Sequence, residues 1–232
     1  MKSLLSFALF SSAGFASAAT FSASWNSGFI AGTTVPDGSA TGWSDVRSLP
    51  IPADQVITDV NLSISLTGGW NGDLYAYLSH PNSPGVAVLL NRPGRTAISP
   101  LGYSDTALTI SLDDGAVNGD IHSYQSANGY TTLIGNGSAW QPDGRSVSPF
   151  TVNGSEARLA MLSTFNGMVP ANTGWTLFIA DLASGDQHTV ASWGLNITTV
   201  IPEPGSLFMV LLAGAGLRLR RHRRDVTGLS PD

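Results

Sequence analysis

The sequence predicts an all-β domain, either a sandwich or a barrel, and three observations support this prediction. Apolar and polar residues alternate in several short runs: in DVNLSISL, the side chains of Val60, Leu62, Ile64 and Leu66 would share one face of a strand. Turn-forming residues separate these runs, since the 232 residues include 26 Gly and 13 Pro. No segment between the two chain ends has a helical period long enough for a βαβ unit.

The alternating runs follow one another at the close spacing that is typical of sandwiches and barrels. Glycine-containing turns, such as those at 68–69, 113–119 and 184–186, separate them. One stretch, ARLAMLSTFNG at 157–167, is ambiguous between helix and strand. The predicted strands are, in chain order, 59–66, 73–81, 86–91, 108–114, 175–181 and 193–198.

The first 18 residues, MKSLLSFALFSSAGFASA, have the three parts of a secretory signal peptide. Lys2 supplies a positive charge, residues 4–15 form a short apolar segment, and ASA at 16–18 is a small-residue cleavage site. Cleavage there would start the exported chain near Thr20. The next segment, 19–51, is an N-terminal extension and a candidate for the first strands of the sandwich.

The chain ends with a short apolar segment between a Pro-Glu-Pro motif and an arginine cluster. The apolar residues 206–217 would form a helix of about 18 Å, which is short for a hydrocarbon core of about 30 Å. The segment lacks the polar face that a core helix would turn to solvent. Arginines beside it would stay on the cytoplasmic side of a membrane and extend the span by snorkelling. The cluster consists of Arg218, Arg220, Arg221, Arg223 and Arg224.

The motif Pro202-Glu203-Pro204, followed by the apolar segment and the arginine cluster, resembles the PEP-CTERM sorting signal of Gram-negative bacteria. The resemblance covers residues 200–224 and implies recognition by an exosortase, a membrane-embedded transpeptidase-like enzyme. It also implies a precursor that is anchored transiently in the inner membrane by a transmembrane helix. The tail would then be removed and the protein delivered to the cell surface or extracellular matrix. A short polar tail, 225–232, extends past the point where such signals usually end.

We place the β-domain at 52–199. A second resemblance to a known family covers about residues 52–197 of it. Its beginning, with Gly-Asp-Leu at 72–74, and its end, GWTLFIADLASGDQHTVASWGLNI, are similar to the two ends of the proprotein convertase P domain. WQPDGRSVSP at 140–149 is similar to the middle of that domain. The resemblance implies a jelly-roll sandwich of about eight strands. P domains usually follow a subtilisin-like protease domain, whereas residues 1–51 contain no histidine for a catalytic triad.

The family-motif residues have structural uses. Trp175 and Trp193 begin predicted strands, where an indole buries about 150–250 Å². Gly72 and Gly185 suit turn positions with positive φ. Carboxylates at the strand ends are expected to accept backbone N–H bonds in tight loops. These carboxylates are Asp73, Asp181 and Asp186.

Charge and composition exclude several functions. Between residues 19 and 200, five arginines and thirteen acids give a formal charge of −8. Nucleic acid is therefore not a predicted partner, because phosphate binding needs clustered Lys and Arg. The chain has no Cys, which excludes disulfides and thiolate chemistry. The body's histidines, His80, His122 and His188, lie in polar turns, where we expect solvated side chains.

The loop LDDGAVNGDIHSY is a candidate calcium site, and calcium is the only cofactor that the sequence suggests. Asp113, Asp114, Asn118 and Asp120 place four oxygen donors in eight residues, and hard oxygen ligands on a flexible loop suit calcium. The loop lacks the twelfth-position glutamate of an EF-hand. The alternative is a solvated acidic turn without a metal.

The sequence as a whole favours an exported, non-catalytic β-domain, a binding or structural module of the bacterial surface or extracellular matrix. Its candidate partners are an exopolysaccharide or a surface protein. It contains no Gly-x-Ser-x-Gly nucleophile elbow, and we predict no catalytic residue. The alternative is a secreted hydrolase of polysaccharide or peptide, whose catalytic triad would be spread over distant loops. Assays on casein and mixed polysaccharides would separate these two functions.

Overall fold

The strands of the computed structural model are β1 (Ala18–Trp25), β2 (Ser39–Arg47), β3 (Val56–Trp70), β4 (Leu74–Ser79), β5 (Ala87–Asn91), β6 (Thr106–Leu112), β7 (Ser138–Trp140), β8 (Trp175–Asp181) and β9 (His188–Val200). The structure describes residues 17–127, 137–170 and 174–202. The strands form two sheets, which confirms the all-β prediction. All of them belong to one compact unit, Ala18–Val200.

The five-stranded sheet has the order β1-β9-β3-β6-β7, and the four-stranded sheet has the order β2-β8-β4-β5. Neighbouring strands pair antiparallel, except that β6 and β7 run parallel. β1 and β2 arise from the segment before residue 52 and lie at the edges of the two sheets. The described helices are short: α1 (Tyr124–Ala127) and the 3₁₀-helices Asn71–Asp73, Ile121–Ser123 and Leu162–Phe165.

The period-two pattern decides which side chains enter the core. In β3, Val60, Leu62 and Ile64 are buried and the intervening Ser63 is exposed. β9 pairs with β3 over almost the whole length of both strands and repeats this alternation. The buried side chains of the two sheets form one core cluster. Four tryptophans, Trp43, Trp140, Trp175 and Trp193, are among its largest fully buried members.

β3 is longer than the sequence predicts, because it continues through Gly68 and Gly69. Both glycines have positive φ, at +74° and +57°. The register of β3 against β6 shifts between Leu66 and Trp70. The glycine pair therefore produces an irregularity within the strand and does not end it in a turn, since glycine tolerates the backbone conformation of a bulge. The ambiguous stretch 157–167 is neither a strand nor a long helix; only Leu162–Phe165 within it is helical.

Both ends of the described unit lie in one sheet. The first strand pairs with the last, and Ala18 is opposite Val200. Within the described ranges, no helix has the length and hydropathy needed to cross a membrane. The predicted apolar segment at 206–217 and the predicted signal peptide, except for its last two residues, lie outside those ranges.

Candidate functional site

The predicted sorting residues fall almost entirely outside the described part of the chain. Pro202 is described and exposed. Glu203, Pro204 and the five arginines of the cluster follow it and lie outside the described residues. The sorting signal therefore stays a prediction from the sequence.

The two family-motif tryptophans are core residues. Trp175 is the first residue of β8, and its ring packs against Phe165 with centroids 5.1 Å apart. Trp193 lies in the middle of β9, where its indole N–H donates to a buried carboxylate oxygen of Asp45 at 2.7 Å. Because both indoles are completely buried, their role is to fill the core.

Glycine stands at the two family-motif positions, 72 and 185, for different structural reasons. Gly185 has φ +134°, as predicted. The prediction of positive φ is wrong for Gly72. A Cβ on Gly72 would lie 2.5 Å from the carbonyl oxygen of Leu101, and the Gly72 N–H donates to the Tyr103 carbonyl at 2.8 Å. Gly72 is therefore a point of close backbone approach, which only glycine allows.

Two of the three carboxylates at the strand ends contact side chains, and not the backbone N–H groups that the sequence predicts as their donors. Asp73 Oδ1 accepts from Arg92 at 3.0 Å, and Asp181 Oδ2 lies 2.8 Å from His188 Nδ1. Burial raises the pKa of Asp73; the Arg92 charge opposes this shift and the Asp181 charge adds to it. Asp186 is exposed, and the N–H of Gly185 in the same loop donates to Asp37.

The prediction that the three histidines are solvated is wrong. His80, His122 and His188 are only 4%, 3% and 0% exposed. His122 and His188 each lie against a carboxylate, Asp143 and Asp181, that compensates for the loss of water. The position of these histidines in predicted turns does not reveal their burial, because the carboxylate that contacts each ring comes from another element of the fold.

His122 lies in a buried ionic cluster that the sequence analysis did not identify as a site. At its centre is Asp143, which is fully buried and contacts His122 Nδ1 at 2.7 Å and Arg145 at 3.1 Å. Arg145 reaches on to Asp120 Oδ2 at 2.7 Å. Asp143 and Arg145 belong to the PDGR stretch that supported the family resemblance. Their partners are 21 and 25 residues away in the chain, so that only the fold brings them together.

The contacts of the His122 ring favour its protonated form. Nδ1 faces the Asp143 carboxylate, and Nε2 faces the Arg95 carbonyl at 2.9 Å. Both neighbours are acceptors, and a neutral imidazole has only one N–H to donate. Burial lowers the pKa of His122, but the hydrogen bond and charge of Asp143 and the Arg95 carbonyl raise it above its ordinary value.

Two of the predicted calcium ligands already bind the backbone. Asp113 Oδ1 accepts from the Gly115 N–H at 2.7 Å. The two oxygens of Asp114 accept from Leu162 and Ser163 at 3.0 and 2.8 Å. Asp114 therefore fastens this loop to the start of a 3₁₀-helix about fifty residues further along the chain.

The other two predicted ligands also have protein partners. Asp120 pairs with Arg145 and accepts from the His122 N–H at 2.9 Å. Asn118 donates to the Ala139 carbonyl at 2.8 Å. In the part of the chain that the structure describes, no group of three or more His, Asp or Glu side chains is arranged to hold a metal ion. Calcium binding stays a prediction.

The His188–Asp181 pair resembles two members of a catalytic triad, an imidazole on a carboxylate. His188 is completely buried, and a Cβ on Gly69 would lie 2.0 Å from its Cε1, so the ring packs directly on the β3 backbone. Its Nε2 has no hydrogen-bond partner among the described residues. The described structure therefore places no hydroxyl group where it could serve as the nucleophile of a triad. In this geometry the pair joins the end of β8 to the start of β9.

The solvent-facing side of the five-stranded sheet carries a shallow groove of about 400 Å³. A Cβ on Gly194 would lie 2.9 Å from Oγ of Ser63, one of the side chains that line the groove. An Asn196 amide donates to Ser22 Oγ across the groove at 3.0 Å. The polar side chains that line it are uncharged: Ser22, Ser24, Asn61, Ser63, Ser111 and Asn196.

Comparisons with known proteins give structural neighbours and no family. No family model matches the chain, and no curated protein matches it. A serine protease of Aeromonas sobria, solved in complex with a chaperone, is 14% identical with a TM-score of 0.44 over 79% of this chain. A structure of serine protease of Aeromonas sobria is 15% identical with a TM-score of 0.44 over 78% of it. The chain spans only 27% of the length of either solved chain.

Proposed function

We propose that this protein is an exported, non-catalytic β-sandwich module of the surface or extracellular matrix of a Gram-negative bacterium. An exosortase sorts it through Pro202-Glu203-Pro204 and the tail that follows. The signal-peptide pattern at 1–18 supports export, and the order of motif, apolar segment and arginine cluster supports sorting. The finer fold assignment, a jelly roll of the proprotein convertase P type over 52–199, rests on the resemblance of the sequence.

One observation carries the proposal of a non-catalytic role: the buried charged groups bind one another. Asp73 pairs with Arg92 at 3.0 Å, and the His188 and His122 rings each pair with a carboxylate below 3 Å. Both ring nitrogens of His122 face protein acceptors, and the His188 ring is completely buried against the β3 backbone, so neither imidazole is open to a substrate. The solvent-facing sides of the two sheets are then the surfaces that can bind a ligand.

Mass spectrometry of the exported protein tests the sorting. We expect wild-type protein to lose its C-terminal tail only in cells that contain the exosortase. Glu203→Ala, or deletion of residues 218–224, should leave the protein uncut and retained in the membrane. Asp225→Ala, which changes an acid just beyond the arginine cluster, is the matched control and should be processed normally. An identical C-terminus with and without the exosortase would contradict the proposal.

The alternative, a secreted hydrolase, has one observation in its favour, the His188–Asp181 pair. Assays of the exported protein on casein and on mixed polysaccharides should release no product. Activity that purifies with the protein and disappears in His188→Asn would establish the hydrolase. That variant keeps a donor toward Asp181 and removes the imidazole.

A further inference from the structure

The outer face of the four-stranded sheet carries a row of aromatic side chains. Tyr75 and Tyr77 alternate along β4 with the buried Leu74 and Ala76, so that the two phenol rings point away from the core. Phe178 has the same orientation in the neighbouring strand β8. All three rings are partly exposed to solvent. We call Tyr75, Tyr77 and Phe178 the aromatic row.

The rings of the aromatic row contact one another. Tyr77 and Phe178 are directly opposite across β4 and β8, and their rings stack at 4.8 Å with an interplanar angle of 18°. Tyr75 follows at 6.1 Å from Tyr77. On the other side of Phe178, a Cβ on Gly42 would lie 2.5 Å from its Cζ, so that glycine at this position leaves space for the ring. The row is therefore a fixed apolar surface before any ligand arrives.

The aromatic row also carries two hydroxyl groups that have no partner in the described structure. Neither the Tyr75 nor the Tyr77 hydroxyl makes a hydrogen bond to another described residue. Burial raises the pKa of Tyr75, and the neighbouring Tyr77 and Asp143 add to the shift. The Tyr75 hydroxyl therefore remains a hydrogen-bond donor at neutral pH. An exposed apolar patch with polar groups at its border is typical of a binding surface.

We propose that the aromatic row binds a neutral polysaccharide. A sugar ring has an apolar C–H face and a border of hydroxyls, which match aromatic carbon and free phenol hydroxyls. The formal charge of −8 between residues 19 and 200 disfavours an anionic polymer, because like charges repel. Val46 of β2, 60% exposed and opposite Thr176, extends the apolar surface beyond Phe178. This inference rests on the proposed binding role and names the ligand class and its surface.

Native affinity electrophoresis of the exported protein tests the inference, with laminarin, hydroxyethyl cellulose and galactomannan as neutral probes and alginate as the anionic probe. We expect at least one neutral polymer, and not alginate, to retard the protein. Tyr77→Ala should weaken this binding by about tenfold or more. The double variant Tyr75→Phe, Tyr77→Phe keeps the rings and the packing and should weaken binding several-fold through loss of the hydroxyls alone.

Phe150→Ala is the matched control, because Phe150 is an aromatic residue, 58% exposed, outside the aromatic row. It should bind as the wild type does. The inference is overturned if no neutral polymer retards the protein, or if Ser24→Tyr, which fills the groove of the other sheet, abolishes binding that Tyr77→Ala preserves. Self-association in sedimentation that Tyr77→Ala abolishes would also overturn it, in favour of a second copy of the chain. Each of these failures leaves the sorting proposal intact, because C-terminal processing is measured separately.

Discussion

Trp193 and Asp45 join the two sheets through a hydrogen bond of 2.7 Å from the indole N–H to Oδ2. Trp193 belongs to β9 in the five-stranded sheet, and Asp45 to β2 in the four-stranded sheet. The same carboxylate oxygen pairs with Arg47 at 2.6 Å. The Arg47 guanidinium in turn lies 5.6 Å from the Trp25 ring centroid and 5.2 Å from that of Phe29. A single buried acid thus connects the edge strands β1 and β2 to the core.

Asp45→Ala should lower the free energy of unfolding by about 1–3 kcal/mol, because the buried Trp193 N–H loses its acceptor. Asp45→Asn keeps one oxygen acceptor and should cost less. Urea unfolding, followed by tryptophan fluorescence, measures both. Asp54→Ala, at an exposed position, is the control and should leave the midpoint unchanged. Equal effects of Asp45→Ala and Asp54→Ala would contradict the role of this link.

Gly69→Ala should destabilise the protein much more than Gly32→Ala. Both glycines have positive φ, at +57° and +70°, so each substitution strains the backbone by about 1–2 kcal/mol. A Cβ at Gly32 meets open space, whereas one at Gly69 would lie 2.0 Å from the His188 ring. We expect Gly69→Ala to lose about 1–3 kcal/mol more from overpacking. Similar midpoints of the two variants in urea would show that the His188 ring does not pack on Gly69.

His122 should make stability depend on pH. The pKa of His122 is raised in the folded protein, so its contribution is fully present below the unfolded pKa of about 6.5. The contribution is lost as the pH rises through the folded pKa, because the folded state then gives up a proton that it holds more tightly than the unfolded state. The free-energy difference between wild type and His122→Asn should therefore be larger below about pH 6.5 than in the alkaline range.

Denaturation of wild type and His122→Asn at several pH values measures this difference. ¹⁵N NMR provides an independent check, since both ring nitrogens should keep their protons to a higher pH than those of a solvated histidine. A free-energy difference that stays constant with pH, together with a neutral ring, would contradict the assignment of His122 as a buried cation.

Thermal unfolding in EGTA and in millimolar calcium tests the calcium prediction. A calcium ion that binds only the folded state stabilises it by about 2.7 kcal/mol at a hundredfold excess over its Kd. The melting temperature would rise by about 5–10 °C. Asp113→Asn is the best probe, because only Oδ1 of Asp113 accepts a backbone N–H. Asp114→Asn would also break a backbone contact without any metal. If calcium shifts neither wild type nor Asp113→Asn, the loop is held by its protein contacts.

Local sequence pattern is sufficient to predict the strands, but it does not predict the contacts between distant loops. Alternation predicts the part of β3 up to Leu66, because burial on one face requires an apolar residue at every second position. The pattern does not show that the strand continues through Gly68 and Gly69. Glycine is common both in turns and in bulges, and only pairing with the neighbouring strands distinguishes the two.

Local sequence pattern does not predict the buried ionic cluster. His122 lies in a polar segment, and polar segments are usually solvated. Its burial depends on Asp143, which arrives from another loop and replaces the lost water. The sequence predicts the strand that carries Tyr75 and Tyr77, whereas the stacking of Phe178 on Tyr77 follows from the register of β4 and β8.

The position of β9 has a mechanical consequence. The chain leaves the described unit after Val200, at the end of a strand that has hydrogen-bonded neighbours on both sides, β1 and β3. A tension that is applied beyond residue 202 would act on both ladders at once and would not peel a single edge strand away. The aromatic row lies on the opposite sheet, so a load between a ligand there and the C-terminal end of β9 would pass through the tryptophan-rich core.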